Sequence, residues 1–257
     1  LACYSFAASL LFLALTANAA ATTWYAAPGA SGSGASSSDP GDLETIVSST
    51  AASGDEILLA NGTYQPTAVI YVQNDIQLTG SGVSNTTIDC SGIPFGSNSC
   101  VAFGNATTAL TNQAGISALS MTHLGPWLAS SAIRLYHDSS IIIDSIAIDN
   151  TFIYGVYLDS SNKNGVPSIY GTQFQSYTYG LYGEDGTGFY EISNSQFEGQ
   201  MARGIAILNS SYANTVHNNS FSNISSAAVS FEIDTAGIFV ESLISQNTFI
   251  DNDSISI

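Results

Sequence analysis

The later half of the chain repeats one short pattern of apolar and polar positions. An aliphatic residue is followed three places on by Asn, Ser or Thr in the later units. Five places on stands a large apolar residue. The units read Ile116-Leu119-Met121, Ile143-Ile146-Ile148, Ile169-Thr172-Phe174, Ile192-Ser195-Phe197, Val216-Asn219-Phe221 and Ile244-Asn247-Phe249, with starts 27, 26, 23, 24 and 28 residues apart. Each unit adds a second brief alternation: Ile133-Leu135, Val156-Leu158, Leu181 alone, Ile205-Ile207, Val229-Phe231 and Ile255-Ile257. Period-two runs this short predict strands, and a repeat of 20 to 30 residues predicts coils stacked as a solenoid. No coil can bury its apolar face alone, so stacking must supply one continuous core.

Ahead of these units, Ile57-Leu59, Val69-Tyr71, Ile76-Leu78, Ile88 and Val101-Phe103 supply less regular strands, with Gly80, Gly82, Gly92 and Gly104 at the turns between them. Asp39-Pro40 predicts a helix start, with Asp42 in its first turn. Leu43, Ile46, Val47 and Ala51 share one face of that helix and Gly54 ends it. A short helix there would shield the open end of the first coil. Thr22–Tyr25 reads as an edge strand, and the Gly/Ser run from Gly29 to Gly34 makes residues 20–38 a flexible lead-in.

The phrase Gly54-Asp55-Glu56-Ile57-Leu58-Leu59-Ala60-Asn61-Gly62-Thr63-Tyr64 resembles the entry segment of right-handed parallel β-helix proteins of the pectin-lyase-like superfamily. Units such as Val216-His217-Asn218-Asn219-Ser220-Phe221 are similar to the repeat that superfamily shares. Phe221-Ser222-Asn223-Ile224 and Phe249-Ile250-Asp251-Asn252 give a looser similarity to polymorphic outer-membrane protein passengers. The resemblance covers roughly residues 39–257 and implies an all-β, right-handed parallel β-helix with a short N-terminal capping helix. At a rung spacing of about 4.8 Å, roughly eight coils would make a rod on the order of 40 Å long. Asn194, Asn218, Asn219 and Asn247 are expected to form turn ladders whose amides satisfy backbone groups of neighbouring coils.

Composition narrows the partners. Apolar residues make up 45% of the 257, charged residues only 9%, and three basic residues face 20 acidic ones for a formal charge of −17. Such a surface repels nucleic acid, whose phosphates need clustered Lys or Arg. It also has few cations with which to hold a polyuronate. Leu10–Leu15 followed by Ala17-Asn18-Ala19 reads as a signal peptide over residues 1–19, too short for a membrane span. Secretion fits a disulfide between Cys90 and Cys100, worth up to about 3 kcal/mol, with Cys3 lost alongside the signal. Sequons at Asn61, Asn85, Asn105, Asn209, Asn218, Asn223 and Asn252 matter only in a glycosylating host. Because Ile257 falls within a strand pattern, further coils, a cap, an anchor or a barrel are expected beyond it.

Letting Ile, Val and Leu of the second alternation face inward leaves two outward columns. One runs Arg134, Tyr157, Tyr182, Ala206, Ser230, and its neighbour runs Tyr136, Asp159, Glu184, Leu208, Glu232. Aromatic rings beside carboxylates suit a polysaccharide or cell-surface glycan, so Arg134, Tyr136, Tyr157, Asp159, Tyr182 and Glu184 form the expected ligand face. Three readings of the acids stay open. They could be solvated side chains tolerating each other, a calcium site of Asp159, Glu184 and Asp185, or a catalytic carboxylate pair. In lyases of the superfamily a cationic residue or base removes the proton beside a uronate carboxyl, and Arg134 and His137 are the neighbours of that type. His123 and His217 read as isolated turn residues. Asn-Thr-Asp, Gly-His-Gly and Arg-Ile-Lys, expected of pectate lyases or polygalacturonases, do not occur, nor does a string of calcium-binding Asp beside a catalytic Arg. The expectation is therefore a secreted or cell-surface module that binds glycans or a partner surface without catalysis. The alternative is a polysaccharide lyase or glycoside hydrolase of the same superfamily.

Overall fold

A computed structural model describes residues 20–94, 99–105, 107, 109–111, 113–123, 129–136, 139–149, 152–162, 164–175, 178–184, 187–199, 201–209, 213–232 and 242–252; the side chains of Ala129 and Glu232 are left aside. The signal reading over residues 1–19 lies outside these residues.

Each coil contributes one strand to each of three sheets, and every strand pairing is parallel. A coil passes from the first sheet (for example Ser168–Tyr170) to the second (Gln173–Phe174) and then to the third (Tyr179–Gly183). Among the described residues the sheets carry nine, eight and seven strands respectively. Stacking is in register: Ile116, Ile143, Ile169, Ile192 and Val216 pile up in the first sheet, all fully buried. In the second sheet Met121 and Ile148 give way to Phe174, Phe197, Phe221 and Phe249. Those rings stack at centroid distances of 4.6, 4.7 and 5.2 Å, near the rung spacing that strand pairing imposes.

The Phe column needs room on the facing wall. Third-sheet residues Gly180, Gly204 and Ala228 supply it by having little or no side chain. A Cβ on Gly180 would lie 2.5 Å from Phe197 Cδ1, and one on Gly204 would lie 2.9 Å from the Phe221 ring. Since Gly180 and Leu181 both point inward, strand alternation breaks here and the wall turns a corner.

The turn between first and second sheets uses a left-handed backbone at Ala118, Ser145, Gly171, Asn194, Asn218 and Gln246, with φ between 52° and 55°. Asn is favoured in that region but not required. The following residue points inward and, from Thr172 onward, builds a polar ladder inside the coil. Ser195 Oγ accepts from Thr172 N (3.2 Å), Asn219 Oδ1 from Ser195 N (2.9 Å) and Asn247 Oδ1 from Asn219 N (2.9 Å). Asn219 Nδ2 donates to Ile192 O and Asn247 Nδ2 to Val216 O. The expected amide ladder thus holds for Asn219 and Asn247, which satisfy buried backbone groups. It does not hold for Asn194 and Asn218, which are exposed in the left-handed turn and bond the side chains of Ser193 and His217 instead.

At the N-terminal end the helix begins later than its sequence suggests. Asp42 is the cap, accepting from Thr45 N at 2.8 Å, and the helix runs Leu43–Thr45 and on through Ile46–Thr50 in a wider turn. Asp39 instead accepts from Ser33 N and Oγ, closing the Gly/Ser loop. That loop is tied down by backbone hydrogen bonds: Tyr25 N bonds Gly34 O, Gly32 N bonds Pro40 O and Gly41 N bonds Tyr25 O. A Cβ on Gly32 would sit 2.2 Å from Asp39 Oδ1, so its glycine content serves close approach. Leu43, Ile46, Val47 and Ala51 bury the helix face against the core. Asp55 locks the junction by accepting from Thr22 N, Trp24 Nε1 and Ala52 N. Cys90 and Cys100 form a disulfide with their Cα atoms 5.7 Å apart. Among the described residues no helix is long and apolar enough to cross a membrane.

Candidate functional site

The outer surface of the third sheet concentrates the polar and aromatic chemistry. Arg134, Tyr157, Tyr182, Ala206 and Ser230 are in register there, with Tyr71 and Ala102 continuing the same column toward the N-terminus. The neighbouring positions are fixed by a turn repeated on three coils. Ser139 N donates to Tyr136 O, Asn162 N to Asp159 O and Thr187 N to Glu184 O, at 3.2, 2.7 and 3.0 Å. Tyr136, Asp159 and Glu184 therefore occupy equivalent turn starts on successive coils, and the closing Ser139, Asn162 and Thr187 are fully buried. His137, Asp138 and Asp185 lie outside the described residues.

The two acids are not solvated neighbours tolerating each other. Asp159 is 9% exposed and pairs with Arg134, whose Nε donates to Asp159 Oδ2 at 3.2 Å and whose Nη2 forms the ion pair. Ser161 N donates to the other oxygen at 2.9 Å. Burial works to raise the Asp159 pKa, yet hydrogen bonds from Arg134 and Ser161 outweigh it and hold the carboxyl below its ordinary value. Burial likewise opposes the Arg134 charge, and Asp159 more than restores it. The guanidinium also lies over two rings, 4.5 Å from the Tyr157 centroid and 4.9 Å from that of Tyr136. Glu184 accepts from the Tyr157 hydroxyl and from Ser160 N (2.7 Å).

Sequence alternation missed half of the aromatic cluster. Tyr154 and Tyr179 join Tyr157 and Tyr182: Tyr154 stacks on Tyr179 at 5.4 Å and 15°, and Tyr157 on Tyr182 at 5.7 Å and 24°. The two stacks touch, with Tyr154 5.0 Å from Tyr157 and Tyr179 4.9 Å from Tyr182. A readable signal existed, because Tyr154-Gly155-Val156-Tyr157 recurs as Tyr179-Gly180-Leu181-Tyr182. Rings stacked along the coil axis spend much of their faces on one another, leaving edges and hydroxyls for a ligand. The hydroxyls of Tyr154, Tyr179 and Tyr182 find no hydrogen-bond partner among the described residues, whereas that of Tyr157 is committed to Glu184. Burial raises the pKa of Tyr154, Tyr157 and Tyr182, with Glu184 adding to each, so these phenols stay protonated at neutral pH. Arg203 borders the far side, in register with Tyr179.

Other groups contribute less. His217 is not isolated: it ends the strand Thr215–His217 and its Nε2 lies 2.7 Å from Glu191 Oε1, across adjacent first-sheet rungs. His123 is buried with its ring edge toward Phe152. A trough of about 640 Å³ on the first sheet's outer side is lined by Leu110, Ile142, Val166, Tyr170 and Tyr190 among others, with no charged side chain. The calcium reading finds no group of three acidic, histidine or cysteine side chains among the described residues. Both oxygens of Asp159 and both of Glu184 already accept hydrogen bonds.

Repeat, register and three-sheet coil together meet a family model for the right-handed β-helix region, which matches residues 61–221 and 131–257. The chain belongs to the right-handed β-helix family. No curated protein matches this β-helix chain in sequence. Among solved structures it is similar to the catalytic domain of a GH87 α-1,3-glucanase in complex with tetrasaccharides, at 13% identity and a TM-score of 0.48. That match covers 76% of this chain and 41% of the glucanase chain, so this β-helix spans less than half of it. It is also similar to the pectate lyase Pel9A, at 13% identity and a TM-score of 0.40, covering 93% of this chain and 78% of that one. Fold alone does not assign an activity, which has to come from the side chains of the site.

Proposed function

We propose that this protein is a secreted or cell-surface β-helix module that binds glycans, without turning them over, through the tyrosine face of its third sheet. The observation carrying this reading is the four-ring cluster of Tyr154, Tyr157, Tyr179 and Tyr182, three of whose hydroxyls are uncommitted among the described residues. Phenols that donate and accept hydrogen bonds suit ligands dense in hydroxyl groups. The Cys90–Cys100 disulfide suits an oxidising compartment.

The Arg134–Asp159 ion pair argues against Asp159 as a general acid and Arg134 as a base. A general acid needs a raised pKa at working pH, and that of Asp159 is lowered. Arg134 is held charged by its partner and is no base. Purified protein should be retained by immobilised glycans while releasing neither reducing ends nor ultraviolet-absorbing unsaturated products. Product formation that disappears in Asp159→Asn or Glu184→Gln would overturn the non-catalytic reading.

A further inference from the structure

We infer that the tyrosine face selects uncharged glycans and excludes polyuronates. The inference rests on the glycan-binding reading above and adds the charge class of the ligand.

A carboxylated sugar is held by a cation free to form a two-pronged hydrogen bond with it. Arg134 stands in the ligand column, yet its guanidinium is spent on Asp159 and wedged over the rings of Tyr136 and Tyr157. Recruiting it for a ligand would strand Asp159, itself 9% exposed, without its counter-ion. Arg203, beside Tyr179 on the opposite border, is also engaged within the protein. Against these cations stand Asp159 and Glu184, so the described face carries no net positive charge. The whole chain adds a background of −17. A polyanion approaching this surface meets repulsion first.

What remains for recognition is neutral. Tyr154, Tyr179 and Tyr182 offer hydroxyls that no described residue satisfies, and Glu184 holds the fourth, that of Tyr157, in place. Neutral hydroxyls facing a neutral, hydroxyl-bearing chain leave no buried charge unpaired on either side.

The test compares neutral glucans, galactans and mannans with polygalacturonate by isothermal titration at low and high salt. It uses the full chain and the variants Tyr154→Phe, Tyr179→Phe, Tyr182→Phe, their triple combination and Asp159→Asn. Phe keeps the ring packing and removes only the hydroxyl, and matching melting curves confirm the fold. A neutral glycan should bind with an affinity indifferent to salt, and each single Phe variant should lose about fivefold. Polygalacturonate should not bind the native protein at either salt, but should bind Asp159→Asn, where Arg134 is released, at the higher salt that screens the background charge. Polygalacturonate bound by the native protein and lost in the triple variant would overturn the charge class while sparing the glycan-binding reading. Failure of Asp159→Asn to gain polygalacturonate would overturn the charge argument. Neutral binding untouched by the triple variant would overturn the site, and a protein that binds neither class would overturn the glycan-binding reading itself.

Discussion

Arg134 and Asp159 are joined across two successive coils, with Nε donating to Oδ2 at 3.2 Å and both side chains largely shielded from solvent. The two residues belong to adjacent outward columns, so the bond runs diagonally between rungs. It ties the strand Ala129–Leu135 to the turn that follows Phe152–Leu158. This one contact fixes the Asp159 charge, removes Arg134 from ligand chemistry and anchors one edge of the tyrosine cluster.

Arg134→Leu should therefore destabilise the protein. It leaves Asp159 without its cation in a site that water reaches only in part, and the expected cost is about 2 kcal/mol after allowing for that partial exposure. The urea midpoint reads the effect. Adding Asp159→Asn to Arg134→Leu should recover part of the loss, because the stranded charge is gone.

Acid should weaken the fold from the same source. Asp159 and Asp55 both have folded-state pKa values below the ordinary one: burial opposes the shift, and hydrogen bonds overcome it. A depressed carboxyl stabilises fully above its unfolded value, near pH 4, and loses that contribution as pH falls through the folded value. Stability measured by denaturant midpoint should thus be flat above about pH 5 and decline below about pH 4. The decline should be shallower in Asp159→Asn, which no longer titrates there.

These residues also show what a linear sequence can disclose. The column Arg134–Tyr157–Tyr182–Ala206–Ser230 was legible because strand alternation and a near-constant repeat length fix which side chains align. Alternation does not reach Tyr154 and Tyr179, because the inward pair Gly180-Leu181 breaks it at the corner; only the recurring Tyr-Gly-x-Tyr spacing marks them. The Arg134–Asp159 bond was hidden for another reason: it depends on how a long side chain reaches across columns. The helix cap falls at Asp42 rather than at the expected Asp39, because Asp39 is used by the preceding loop.

Gly180→Ala probes the corner directly. Its Cβ would meet Phe197 Cδ1 at 2.5 Å and Gly204 O at 2.6 Å, and the stacked phenylalanines on either side leave the ring nowhere to go. Overpacking of this kind costs about 2 kcal/mol. Ala132 tolerates its methyl at the level where the second-sheet column still holds Met121 and Ile148. A Gly180→Ala protein with an unchanged melting temperature would mean that the Phe column is loosely packed.

Asn219→Ala should be comparably harmful though it removes no apolar contact. It strands Ser195 N inside the coil and removes the amide that donates to Ile192 O, each bond being 2.9 Å, for an expected loss of about 2 kcal/mol. Thermal unfolding monitored by circular dichroism checks this.

The tyrosine face of the third sheet is the proposed ligand surface. Nuclear magnetic resonance of protein carrying tyrosine labelled at the phenolic carbon, titrated with a bound neutral oligosaccharide, tests it ring by ring. Shifts are expected at Tyr154, Tyr179 and Tyr182, with Tyr170 and Tyr190 silent. Shifts confined to Tyr170 and Tyr190 would place the ligand in the first-sheet trough and rule out the tyrosine face.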